Sequence, residues 1–418
     1  VGKSGLEGKP FSIPKQLVWE AYQQVKANKG AAGVDRQSIE DFEKDLRNNL
    51  YKIWNRMSSG TYFPPPVRAV EIPKHGGGTR ILGVPTVADR VAQTVAALTL
   101  QPRTESIFHR DSYGYRPRRG ALDAVATCRE RCWKKDWVID LDVRKFFDSV
   151  DHELMVKAVE ANITPEQRWV VLYVKRWLKA PILMPDGRLA ERDRGTPQGS
   201  AASPVLANLF MHYAFDSWLE REFPAAEFER YADDAVVHCA TERQARLVLA
   251  ALAERMESVG LELHPAKTKI VYCKDRNRRL DCEHTSFTFL GYTFRARKAP
   301  TRDGSSMFSA FLPAVSRDAL KQMGGEVRRW RINLRTTSDI GELAQWMNPV
   351  IRGWMTYYGR FYRTEMHGLL RRINTYLVRW ARRKFKRLRP FKRAKRWWHG
   401  LLRRQPALFA HWSWMTEF

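Results

Sequence analysis

Cysteine is scarce in this chain: five residues, Cys128, Cys132, Cys239, Cys273 and Cys282, in 418. They form neither an even disulfide framework nor two closely spaced zinc-binding pairs, which excludes a disulfide-stapled secreted domain and fits a reducing compartment. Cys128 and Cys132 fall on one helical face and read as a reduced, buried pair. Long apolar runs are also missing. No stretch approaches the roughly 18 residues needed to cross a bilayer, and Val1–Pro10 lacks the apolar core of a signal peptide, so a cytoplasmic protein without a membrane partner is expected. The start at Val1, without Met, reads as a start inside a longer or processed chain. Tandem repeats and low-complexity tracts are absent.

Acid is in short supply relative to base. Lys and Arg number 72 against 45 Asp and Glu, a net charge of +27 and an isoelectric point near 10.1. Residues 317–418 alone hold 24 Lys+Arg and 6 Asp+Glu, a net of +18, with eight of the fifteen tryptophans. Part of that quarter must be a helical core, since Trp354–Tyr362 and Leu369–Trp380 have helical apolar spacing. The runs Arg382-Arg383-Lys384-Phe385-Lys386-Arg387-Leu388-Arg389 and Lys392-Arg393-Ala394-Lys395-Arg396 do not mix signs as a merely solvated face does. Cations interleaved with flat aromatics suit a phosphate backbone with unstacked bases.

The few acids that matter lie in apolar surroundings. Phe228-Glu-Arg-Tyr-Ala-Asp-Asp-Ala-Val-Val-His238 places Asp233 and Asp234 at the tip of an apolar hairpin, where two adjacent charges cost several kcal/mol unless a cation neutralises them. Upstream, Trp137-Val-Ile-Asp-Leu-Asp-Val143 carries Asp140 and Asp142 on one strand face, and Asp142 sits where strand gives way to turn. Asp148, Ser149 and Asp151 read as caps of a helix starting near His152. One carboxylate on a strand end and two at a hairpin tip suit two Mg2+ ions roughly 4 Å apart in nucleotidyl transfer. Asp142 and Asp233 would bridge both ions, and Asp234 would complete the site. In Ile72-Pro-Lys-His-Gly-Gly-Gly-Thr-Arg80, three glycines make a flexible tip, and Lys74 and Arg80 flank it as cations able to close on a triphosphate.

Tyr231-Ala-Asp-Asp234 resembles the YxDD box of reverse transcriptases, in the Ala form typical of group II intron-encoded enzymes. Other boxes follow in the family's order from about residue 13 to the C-terminus: Asn28–Asp35, Gly60–Pro66, the Ile72–Thr86 fingers hairpin and Arg194–Phe210. The chain is thus identified as a member of the group II intron-encoded reverse transcriptase/maturase family. No Asn/His-rich module with paired cysteines follows, so the C-terminal endonuclease of many members is expected to be missing.

The resemblance implies an α+β right-hand polymerase fold: fingers and palm with an antiparallel sheet packed on helices, then an all-helical basic thumb. The expected divisions are an N-terminal extension over 1–60, fingers and palm over 61–305, and a thumb/maturase domain over 306–418, with Asp303–Ser306 as the break. It makes Gln198 a neighbour of the incoming nucleotide, Phe147 the steric gate against ribose, and Lys267 an assistant to pyrophosphate departure. Phe289, Leu290, Gly291 and Tyr292 become the primer grip. Arg382, Arg383, Lys384, Lys386, Arg387, Lys392, Arg393, Lys395 and Arg396 become RNA contacts. The implied partners are an RNA template, RNA/DNA duplex, dNTPs and group II intron RNA in a bacterial cytoplasm or nucleoid. The implied function is RNA-directed DNA synthesis with assistance to splicing and retrohoming. Two other readings stay open: a maturase acting without catalysis, and a freestanding relative in DNA repair or defence.

Overall fold

Short period-two runs bounded by turn residues become strands, and longer runs with apolar residues every three to four positions become helices. The computed structural model describes residues 9–73, 78–301 and 303–418, so Lys74 lies outside the described residues. In chain order the strands are β1 (Val67–Pro73), β2 (Thr79–Val84), β3 (Trp137–Leu141), β4 (Ile182–Leu183), β5 (Leu189–Ala190), β6 (Glu227–Tyr231), β7 (Asp234–Cys239), β8 (Lys269–Tyr272), β9 (Ser286–Phe289), β10 (Tyr292–Pro300) and β11 (Met307–Val315). With the helices they give the expected α+β class, in two compact units built from interleaved segments: 1–120, 141–237 and 246–268 in one, 121–140, 238–245 and 269–418 in the other.

In the first unit, helix Lys15–Asn28 packs on Val87–Ile107, whose start is capped by Thr86 accepting from Asp89 N at 3.1 Å. The apolar-periodic run from Ile39 to Ser58 forms two helices, Ile39–Glu43 and Leu46–Ser58, because Asp45 leaves helical geometry at φ −129°, ψ 44°. β1 pairs antiparallel with β2 and parallel with β4. The next long helix begins at Ser203, where Pro204 suits the first turn. Its course widens at His212–Asp216 before Ser217–Glu222. Asp151 caps helix His152–Glu160 by accepting from Leu154 N at 2.9 Å, as expected.

In the second unit, β3 pairs antiparallel with β8, and β9, β10 and β11 form an antiparallel meander. Residues 303–306 form the turn of the β10–β11 hairpin. Helices Arg317–Arg329, Ile340–Tyr362, His367–Lys384 and Phe391–Arg404 follow, around a core that includes Met347, Ile351, Leu370, Ile373, Leu377, Trp380 and Trp398. Asn374 Nδ2 donates to the carbonyls of Met415 (3.1 Å) and Glu417 (2.7 Å), tying the last residues to that core. Among the described residues no helix is long and apolar enough to cross a membrane.

Candidate active site

The sharp reversal between β6 and β7 needs a left-handed residue, and Ala232 takes that conformation at φ 58°. What holds an alanine there is a buried guanidinium. Arg230 NH1 donates to the Ala232 carbonyl at 2.8 Å and to Asn208 Oδ1 at 3.0 Å. Its Nε and NH2 each reach Asp216 at 2.6 Å, and NH2 also reaches Ser112 Oγ at 2.8 Å. Asn208 Nδ2 in turn donates to the Gly114 carbonyl at 2.6 Å. Gly114 presses on the reversal so closely that a Cβ there would lie 2.4 Å from Ala232 N, so only glycine fits. Residues more than a hundred positions apart thus fix where Asp233 and Asp234 stand.

Asp142 follows β3 and meets the same region. His264 N donates to its carbonyl at 2.8 Å, and Lys267 Nζ lies 3.0 Å from its Oδ2. The Asp233 carboxyl is pushed above the usual range, chiefly by burial and then by the negative charge of Asp142, while Arg230 and Arg80 pull it back. Tyr115 is pushed up by burial and then by Asp233. Its ring sits 6.5 Å from that of Tyr231, tilted 45°. Sequence reasoning missed Tyr115; its one local sign is position, two residues after Tyr113 in a Gly/Pro/Arg-rich loop. Asp142 and Asp233 oppose one another in charge, with Arg80 and Lys267 at their edge, and oxygen donors of this kind suit a hard divalent ion that Asp142, Asp233 and the adjacent Asp234 could hold.

The other expected nucleotide residues of this unit lie on a strand, a short helix and a loop: Arg80 on β2, Phe147 in helix Phe146–Ser149 and Gln198 in the loop before helix Ser203–Met211. Arg80 is exposed on β2. The Phe147 carbonyl accepts from Thr196 N at 2.7 Å, and a Cβ on Gly195, at φ 77°, would come within 2.6 Å of it. The Gln198 carbonyl accepts from Gly83 N at 2.7 Å, which ties the loop to β2. Beneath that loop runs a chain invisible in the sequence. Gln93 Oε1 accepts from Ser200 Oγ (2.7 Å) and Ala201 N (2.8 Å), while its Nε2 donates to Asp89 Oδ2 at 2.9 Å. Asp89 Oδ1 accepts from Tyr62 OH and Trp177 Nε1, both at 2.8 Å. Burial raises the Asp89 carboxyl to about 6 in spite of these donors.

In the second unit, Phe289 and Tyr292 are buried and flank the Leu290–Gly291 turn, both of whose residues have positive φ. Tyr357 OH donates to the Leu290 carbonyl at 2.8 Å, and Tyr292 OH donates to that of Tyr357. Of the basic positions, Lys386, Arg387, Lys392, Arg393, Lys395, Arg396 and Arg383 are exposed. Arg382 instead donates to the Arg389 carbonyl and Lys384 to that of Ser338, so these two also make contacts within the domain.

Residues 72–294 match the family described as "Reverse transcriptase (RNA-dependent DNA polymerase)", and residues 320–398 match "Group II intron, maturase-specific domain". Protein YkfC of Escherichia coli (strain K12) is 30% identical over 315 residues, covering 65% of this chain and 78% of YkfC. Group II intron-encoded protein LtrA of Lactococcus lactis subsp. cremoris is 30% identical over 205 residues, 48% of this chain and 33% of LtrA. Putative COX1/OXI3 intron 2 protein of Saccharomyces cerevisiae is 28% identical over 213 residues, 49% of this chain and 23% of that protein. The chain therefore spans a third or less of the length of these two intron-encoded relatives.

Proposed function

Because the chain belongs to the reverse transcriptase family and carries a group II intron maturase-specific domain, we propose that it copies RNA into DNA from a primer and binds the RNA of a group II intron. The observation that supports the polymerase reading is the nearness of the Asp142 charge to Asp233, which stands on a turn braced by Arg230. Two Mg2+ ions, when bound, would supply activation of the primer 3′-hydroxyl and neutralisation of the departing pyrophosphate. Asp142, Asp233 and Asp234 are the residues that would hold them.

The protein's own groups do the rest. Arg80, with Lys74, draws the triphosphate by charge. The Gln198 loop, latched to β2 and to Gln93, gives the incoming base pair a floor made of small residues. Phe147 excludes a ribose 2′-hydroxyl by bulk, so deoxynucleotides are preferred. Lys267 holds a proton at Nζ beside Asp142 and can pass it to the leaving group. RNA-templated primer extension with Mg2+ and dNTPs tests this reading: templated DNA supports it, and folded, RNA-binding protein that makes none rejects it.

A maturase role is supported by the exposed basic run from Arg383 to Arg396 on the domain that matches the maturase-specific family. The two roles separate experimentally. Splicing of a cognate intron should survive Asp233→Ala and fail when Arg383, Lys386 and Arg387 are neutralised together.

A further inference from the structure

A cavity of about 800 Å³ opens in the second unit, apart from the residues assigned above. Its walls come from helix Ala121–Lys134, the β10–β11 hairpin and the end of helix Ile340–Tyr362. Trp133, Phe308, Phe361 and Tyr362 supply flat faces, and Arg129 and Arg276 supply charge. The size falls within the range of pockets that enclose small organic ligands.

The lining is held in place. Trp133 Nε1 donates to the Phe311 carbonyl at 3.0 Å, which orients the indole while leaving the residue 46% exposed. Tyr362 OH donates to the Lys298 carbonyl at 3.1 Å. Arg129, one helical turn before Trp133, stacks its guanidinium 4.5 Å from that indole and 5.8 Å from the Phe361 ring. Its Nε is buried without a hydrogen-bond partner, and burial lowers the guanidinium from its ordinary pKa. Among the described residues the carboxylate in the lining is Asp275, already committed to Arg278 through Nε at 2.9 Å and NH2 at 2.5 Å. The pocket therefore presents rings and a net positive lining. Exposed Arg276 and Asn277 stand at its edge, with Ser309 beside them.

Rings with an arginine stacked on them bind the π-face of an unpaired base, and a cation at the rim meets its phosphate. We propose that this cavity receives one unstacked base of a single-stranded RNA, with Arg276 at the adjoining phosphate and the polar rim of Asn277 and Ser309 toward the ribose 2′-hydroxyl. The proposal rests on the reading of the chain as an RNA-binding protein and names a subsite for that RNA.

The test is photocrosslinking of the full chain to a single-stranded decaribonucleotide carrying 5-iodouridine, with the adducts mapped by mass spectrometry. Alongside it, anisotropy measures the affinity of wild type, Trp133→Leu and Arg276→Ala for the same oligomer. The expected adducts lie on Trp133, Phe308, Phe361 or Tyr362. Trp133→Leu should weaken binding about tenfold, and Arg276→Ala should lower the salt slope by about one. Adducts confined to other regions, or both variants binding as wild type, would overturn the proposal. Equal crosslinking of the matching deoxyoligomer would overturn the assignment to RNA. Wild-type primer extension on a duplex separates the two levels. Synthesis without adducts in the cavity removes only the subsite, whereas neither synthesis nor RNA binding removes both.

Discussion

Arg230 and Asp216 meet through two hydrogen bonds of 2.6 Å with both side chains fully buried, and the same guanidinium holds the carbonyl of Ala232 in the turn before Asp233. Removing one partner leaves the other charge buried and unpaired. Asp216→Ala should therefore destabilise the protein by about 3–5 kcal/mol, measured by urea unfolding. Arg230→Lys should fold but lose synthesis, because an ammonium cannot serve Asp216, Asn208, Ser112 and Ala232 together. Unchanged activity in Arg230→Lys would show that the brace does not set the aspartate geometry.

The acids at the β6–β7 reversal and the exposed basic run of the C-terminal quarter were legible in the sequence because each is a local pattern: adjacent acids in an apolar run, arginines without acids. The brace was not. Ser112, Asn208 with Asp216, and Arg230 come from three separate segments, and only one hint existed, an arginine inside the β-forming run Phe228–Tyr231, where a charge demands a buried partner. The Asp89–Gln93–Ser200 chain was hidden for the same reason, since Asp89 reads locally as a first-turn acid after the Thr86 cap. Cys128 and Cys132 were read as a reduced, buried pair, and both are fully buried and in no disulfide. Helix boundaries are less legible where backbone rather than pattern decides, as at Asp45, whose non-helical conformation parts Ile39–Glu43 from Leu46–Ser58.

Asp89 gives a pH signature. Its carboxyl is raised to about 6 by burial, so the folded state favours the protonated form. The stability it contributes is complete below the unfolded value near 3.9 and is lost as pH rises through about 6, a difference of about 3 kcal/mol. Asp89→Asn should flatten the stability profile between pH 4 and 7 in chemical denaturation. A variant whose profile falls as steeply as wild type would show that Asp89 is ionised throughout.

Lys267 sits 3.0 Å from Asp142 Oδ2, with 61% of its side chain exposed. If it passes a proton to the departing pyrophosphate, Lys267→Met should lower kcat by about 100-fold with primer–template affinity little changed. Single-turnover incorporation is the readout. A normal rate would reduce the lysine to a surface ion pair.

Phe147 is held through its carbonyl by Thr196 N, which fixes the backbone and leaves ring size as the variable. Phe147→Val should reduce discrimination against ribonucleotides by about 100-fold, most of it through improved rNTP use. Competition between dNTP and rNTP at one template position measures it, and unaltered selectivity would move the gate elsewhere, with Tyr115 the next ring to try.

The most direct measurement compares wild type and Asp233→Ala in primer extension on an RNA template with Mg2+ and dNTPs, while anisotropy follows template–primer binding in both. The carboxylate site predicts templated DNA from wild type, none from the variant, and equal affinity for the duplex. Synthesis by Asp233→Ala at the wild-type rate would contradict it.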